Sequence, residues 1–260
     1  MSLKISFKTS KNFEGIIPEP IPAYKCFPEW FSSLPKSTSK CPFAAFGENI
    51  YNLQYNPKNG IGGCLGIQDF LKFGYIIPSW SSFVFREDFD GKLYVNWVGN
   101  PVPTNYTIHG SEQFSTMKNP PLYDHFGKID TPWIIETSPG VSCLITDPIW
   151  HRNKNFTTST GIFHTDKSPL GLPWFFEWNY KIDSQMSLGE DFSLEDQVID
   201  VNQPLILIIP FYRKNFESKV QYIDGDEFTK MKLIQCAKTH KITVDGPYRK
   251  FRKMLKILFK

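Results

Sequence analysis

The sequence predicts a mainly β fold, an antiparallel β sandwich for which a jelly roll is one available topology, with a short internal helix and a C-terminal amphipathic helix. Three observations carry that prediction. Aromatics make up 16% of the 260 residues, with 23 Phe, 11 Tyr and 7 Trp, and bulky planar side chains suit a pleated, half-buried surface. Twenty Pro and 17 Gly interrupt the periodic stretches before long helices can form. Between these breakers, short runs alternate apolar and polar residues at the strand period. A chain of this length with 41% hydrophobic residues can enclose a core without staples, which excludes a disordered polymer and a disulfide-dependent miniprotein.

The N-terminal Met1-Ser-Leu-Lys-Ile-Ser-Phe-Lys alternates without building a secretory apolar segment, and no later run is long enough to cross a bilayer as a helix. The expectation is a soluble chain with no export signal and no transmembrane segment. Residues 1–42 form a proline- and aromatic-rich arm: Pro18, Pro20, Pro22, Pro28, Pro35 and Pro42 fix the backbone and remove donors, leaving an extended segment with a brief turn near Glu29-Trp30-Phe31.

Residues 43–229 read as the β-rich core. Asn59-Gly-Ile-Gly-Gly is a turn, and Ile67, Phe70 and Leu71 share one face of a helix over residues 65–73 that Gly74 ends. The glycines lack the Gly-Lys-Ser/Thr ending of a phosphate loop. Tyr75-Ile-Ile-Pro enters a strand. Phe83-Val-Phe and Lys92-Leu-Tyr-Val-Asn-Trp-Val form a hairpin with Asp90-Gly91 at its turn. Further strands are expected at Trp133-Ile-Ile-Glu-Thr, Val141-Ser-Cys-Leu-Ile-Thr, Thr160-Gly-Ile-Phe-His, Trp174-Phe-Phe-Glu-Trp-Asn-Tyr and Leu205-Ile-Leu-Ile-Ile, the first two joined by a tight turn at Pro139-Gly140.

Residues 230–260 are a basic helical extension packed on the core. They carry ten Lys or Arg against one Asp, whereas the preceding residues carry 19 basic and 25 acidic side chains. After Asp245-Gly-Pro, the side chains Phe251, Met254, Leu255, Leu258 and Phe259 recur at helical spacing, with Arg249, Lys250, Arg252, Lys253 and Lys256 in other directions. The apolar face suits intramolecular packing. Lys250 and Lys253 are the candidates for contact with a protein partner or, weakly, with nucleic-acid phosphates.

Cysteines at 26, 41, 64, 143 and 236 form no close pair, so zinc-finger and tandem redox arrangements lack their local ligands and reduced, buried thiols are expected. His109, His125 and His151 read first as core or surface imidazoles, with His109 or His151 as other ligands if folding brings them near His164. His164-Thr-Asp166 is different, since imidazole and carboxylate two residues apart can approach one cation, and a third ligand completes a two-histidine, one-carboxylate set. His240 is the distant candidate, with Arg249 nine residues on able to take a carboxylate through paired hydrogen bonds.

This order resembles the pattern of iron- and 2-oxoglutarate-dependent oxygenases. The resemblance implies His164, Asp166 and His240 as Fe(II) ligands and Arg249 as the anchor of the 2-oxoglutarate carboxylate, with an unidentified substrate. It rests on four residues in the second half of the chain, and Met231-Lys-Leu-Ile-Gln-Cys-Ala-Lys-Thr stands where a glycine-led apolar strand precedes the distal histidine in that family.

Across most of its length the chain also resembles uncharacterised proteins encoded by tailed phages of marine cyanobacteria. The features that carry this are Pro28-Glu-Trp-Phe, Lys40-Cys-Pro, Gly74-Tyr-Ile-Ile-Pro, Thr137-Ser-Pro-Gly, His164-Thr-Asp, Ile208-Ile-Pro-Phe-Tyr-Arg and Tyr248-Arg-Lys-Phe. The resemblance implies a phage or phage-related origin, and so a place in the host cytoplasm or on the virion. Because the hydrophobic patterns are stronger than any catalytic constellation, the leading expectation is a phage accessory or structural interaction protein with a phage or host protein as partner. The oxygenase is the alternative.

Overall fold

The computed structural model describes residues 4–33, 65–88, 92–98, 102, 104–110, 125–151, 156–167, 171–178, 197–232 and 234. Its strands and helices in chain order are β1 (Ile5–Lys8), β2 (Ile21–Pro22), α1 (Glu29–Ser32), α2 (Leu65–Lys72), β3 (Tyr75–Pro78), β4 (Ser82–Glu87), β5 (Leu93–Val98), β6 (Tyr106–Gly110), β7 (His125–Thr137), β8 (Val141–Thr146), β9 (Phe156–Thr158), β10 (Gly161–Phe163), β11 (Gly171–Trp178), β12 (Gln197–Ile199) and β13 (Pro204–Tyr212). Among the described residues the fold is mainly β, with three sheets and a few short helices.

The chain separates into two compact units, one of residues 1–28 and 69–214, the other of residues 29–68 and 215–260. In the first unit every strand pairing is antiparallel. One sheet runs β1-β7-β11-β9, with β6 also on β7; a second runs β10-β8-β13-β3-β2; a third runs β12-β4-β5. The 13-residue β7 organises the first of these. β6 and β1 follow one another along one of its edges while β11 covers the other.

Alternation decides which side chains turn inward. Trp174, Phe176 and Trp178 on β11, Phe83 and Phe85 on β4, and Ile129 and Ile135 on β7 are all nearly inaccessible. Their rings meet: Phe85 contacts Trp174, Phe176 and Trp178 from one sheet to another, and Phe156 of β9 contacts Trp174 and Trp178 within its own sheet. Gly127 on β7 is required by this packing, because a Cβ there would lie only 2.2 Å from Phe176 Cζ. A smaller apolar cluster joins Ala23, Ile76 and Leu207, with Phe70 of α2 against it.

The anticipated strands at 75–78 and 141–146 match the observed bounds; those begun at 160, 174 and 205 shift by up to three residues, and the one expected at 133–137 begins eight residues earlier, at His125. The 82–87 and 93–98 strands form the expected hairpin, closed by Asp88 N–H donating to Lys92 O (3.0 Å) and Lys92 N–H donating to Asp88 Oδ1 (2.8 Å); its Asp90-Gly91 tip lies outside the described residues. The turn at 138–140 is present, with Gly140 at φ +82° and Val141 N–H donating to Ser138 O at 3.1 Å. It does not fold β8 back onto β7. It carries the chain from one sheet into another, so a tight glycine turn serves here as a sheet-to-sheet corner.

In the second unit, α1 packs Trp30 edge-on to Phe31. Asp224 starts a helical stretch over residues 225–232 by accepting from Asp226 N–H through Oδ1 (2.8 Å) and from Phe228 N–H through its carbonyl (2.9 Å). The expected C-terminal helix, residues 245–260, lies outside the described residues.

Candidate functional site

Three of the short segments that stand out in the sequence come together in the first unit. The turn after β7 supplies Gly140, β8 supplies Ser142, the loop after β10 supplies His164 and Asp166, and the end of β13 supplies Arg213. The backbone sets this up, since β8 pairs with both β10 and β13 and Arg213 N–H donates to Gly140 O at 2.8 Å.

The centre is an ion pair. Arg213 Nη1 donates to Asp166 Oδ1 at 2.7 Å and Nη2 donates to Oδ2, while Gly140 N–H donates to Oδ2 at 2.8 Å. A two-pronged guanidinium-carboxylate contact fixes both groups in plane. The pair is partly enclosed, with side chains 7% exposed for Asp166 and 26% for Arg213. Its hydrogen bonds to Arg213 hold the Asp166 carboxyl far below the ordinary carboxylate range, and the same bonds raise the Arg213 guanidinium further.

Arg213 Nη1 also donates to Ser142 Oγ (2.7 Å) and faces His164 Nδ1 at 3.2 Å, with Ser142 Oγ 2.8 Å from the same nitrogen. Guanidinium only donates. His164 Nδ1 therefore presents a lone pair, the Ser142 hydroxyl donates to it, and the imidazole hydrogen sits on Nε2. Behind this layer, the Thr137 and Thr165 hydroxyls lie 2.7 Å apart and Thr165 Oγ1 reaches Cys143 Sγ at 3.5 Å. Burial pushes the Cys143 thiol up, away from thiolate chemistry.

Of the residues singled out from the sequence, His164 and Asp166 are thus neighbours in one network, and both Asp166 oxygens are engaged by Arg213 and Gly140. His240, Arg249, Lys250 and Lys253 lie outside the described residues. Among the described residues no three His, Cys, Asp or Glu side chains cluster as a metal site, and no helix is long and apolar enough to cross a membrane. Sequence reasoning missed Ser142 and Arg213. Arg213 closes Ile208-Ile-Pro-Phe-Tyr-Arg, and Ser142 lies two residues past Thr137-Ser-Pro-Gly, but nothing in linear spacing joins residues 71 positions apart.

The other histidines are dispersed. His151 lines a small apolar crevice with Cys26, Phe70 and Leu71; burial pushes its imidazole down, and burial pushes the Cys26 thiol up. Both are held neutral, which is the opposite of an activated thiolate-imidazolium pair. A more open groove is lined by Phe7, Thr9, Phe13, Ile17 and Trp133. Comparison with protein-family models, with curated proteins and with solved structures finds no match to this chain.

Proposed function

We propose that the chain is a phage-related accessory or structural protein that acts by binding another protein, with its sheets arranged as a sandwich of the jelly-roll kind. One observation carries this reading. In the segment after β13, Phe216, Val220 and Tyr222 are 92%, 80% and 98% exposed, and Phe228 and Met231, one helical turn apart on the stretch that Asp224 starts, are also exposed. Bulky apolar side chains clustered in solvent along about 16 residues gain by being covered. The Asp166–Arg213 network supports the same reading, since its donors and acceptors are used in tying β8, β13 and the loop after β10 to one another and so it serves as a scaffold. An iron- and 2-oxoglutarate-dependent oxygenase would require Asp166 to exchange Arg213 for the metal.

The test is co-elution of the full chain with proteins of an infected host, for the wild type and for Phe216→Ser/Tyr222→Ser. Loss of a defined, stoichiometric complex in the double variant is the expected result. A complex unchanged by the substitutions, or none at all, removes this reading. Uptake of one Fe(II) and one 2-oxoglutarate per chain, lost in both His164→Ala and Asp166→Ala, would establish the oxygenase in its place.

A further inference from the structure

Five buried side-chain nitrogen or oxygen atoms among the described residues have no hydrogen-bond partner, and four of them belong to Glu87 (Oε2), His125 (Nε2), Trp178 (Nε1) and Gln197 (Oε1). The strand registers set these four residues on neighbouring positions. His125 lies directly opposite Trp178 between β7 and β11. Gln197 lies directly opposite Phe85 between β12 and β4, and Glu87 is two residues beyond Phe85 on the same face. The stacking of Phe85 on Trp178 closes the two sheets on each other, and the other oxygen of the Glu87 carboxylate, Oε1, lies 3.6 Å from His125 Nε2. The fifth atom, Trp133 Nε1, is on β7 eight residues away from His125.

A native interior leaves few polar atoms unpaired, and each costs free energy. Four on adjoining strand positions point to a shared partner. The 3.6 Å separation is too long for a hydrogen bond, but two ligands each about 2.1 Å from one tetrahedral ion stand about 3.4 Å apart. The acceptors are a carboxylate oxygen, an amide oxygen and an imidazole nitrogen; the two oxygens suit hard ions as well, and it is the imidazole that selects a transition ion. Indole N–H can only donate, so its match is an oxygen bound to the ion.

We propose that Glu87, His125 and Gln197 bind one divalent transition-metal ion, such as Zn(II), with Trp178 Nε1 donating to a water in the fourth position. This site is separate from His164 and Asp166 and does not depend on the interaction reading above.

The full chain, stripped with a chelator, is titrated with Co(II) and followed by visible d–d absorption and by quenching of tryptophan emission, with Zn(II) as competitor. One Co(II) per chain, displaced by Zn(II), is expected. Glu87→Gln and Gln197→Leu each weaken binding more than about tenfold, and Trp178→Phe weakens it by about tenfold while shifting the visible band. His164→Gln leaves the titration unchanged. Should the neutral substitutions fail to fold, Gln197→Glu keeps the shape and strengthens binding. No saturable band in the wild type, meaning that ordered water alone satisfies these atoms, overturns the proposal. So does a Co(II) site that persists in Glu87→Gln and Gln197→Leu, is weakened by Gln197→Glu, or disappears in His164→Gln.

Discussion

Phe85 of β4 lies nearly flat on Trp178 of β11, with ring centroids 3.9 Å apart and planes 14° from parallel. Both side chains are almost wholly inaccessible, at 1% each, and Phe85 also meets Trp174 and Phe176 edge-on. One ring on the three-stranded sheet therefore contacts three rings on its neighbour. Phe85→Ala removes all of these contacts and leaves a cavity that the flanking Trp and Phe rings are too rigid to fill. It is expected to cost about 3–5 kcal/mol, measured by urea unfolding, with the denaturant slope unchanged. A loss below about 1 kcal/mol would mean that the two sheets do not rest on this stack.

Thr158 links the layers by polar contacts inside the same core. Trp174 Nε1 donates to Thr158 Oγ1 at 2.9 Å, and Thr158 Oγ1 donates to Leu205 O at 2.5 Å, reaching from β9 to β13 in the second sheet. Thr158→Val keeps the shape but strands an indole N–H and a carbonyl in the interior, at a cost of about 1–3 kcal/mol. Trp174→Phe removes the stranded donor, so the double variant is expected to lose less than the sum of the single losses. Strict additivity in urea unfolding would show that the bond is energetically silent.

These two examples mark how far the sequence was legible. The inward set Phe83, Phe85, Trp174, Phe176 and Trp178 follows from period-2 alternation, and the hairpin from its turn residues. Partnership between strands distant in sequence does not follow, because alternation states which face is buried and leaves open what it is buried against. β9 and β12, three residues each, are too short to show a period. Asp166 stood out beside His164 for its chemistry, yet its principal partner is Arg213, 47 residues on. Glu87 and His125 were visible only as isolated titratable residues, since their encounter depends on the register of four strands.

The Asp166–Arg213 pair makes stability depend on acid. The Asp166 pKa is lowered in the fold, chiefly by the hydrogen bonds from Arg213. Its contribution is therefore complete above the unfolded carboxylate value, about 3.9, and is lost as pH falls below that toward the depressed folded value. Asp166→Asn is expected to lower the thermal midpoint at neutral pH and to flatten its decline below about pH 4. His151 acts in a different window. Burial lowers its pKa, so the contribution of the neutral ring is complete above about 6.5 and falls as pH drops below that value. His151→Gln should remove that slope and leave the acid limb intact. Coincident pH profiles for wild type and both variants would contradict both assignments.

Gly127 tests whether the first part of the longest strand depends on a missing side chain. It faces Phe176 across the β7–β11 ladder, and an added Cβ would overlap the Phe176 ring atoms. Its backbone is not in the left-handed region, as the positive-φ glycines are Gly15, Gly74 and Gly140, so the effect of a methyl is steric rather than conformational. Phe176 is held by Phe85 and Trp174 and has no free direction in which to yield. Gly127→Ala is expected to cost about 1–3 kcal/mol through overpacking. Because the clash is with one ring, Phe176→Leu in the same chain should relieve part of it, giving a coupling of opposite sign to the single losses. If alanine at 127 instead stabilises the chain, as it does where a glycine merely loosens the unfolded state, then the ring does not lie over this backbone and the register between β7 and β11 is wrong.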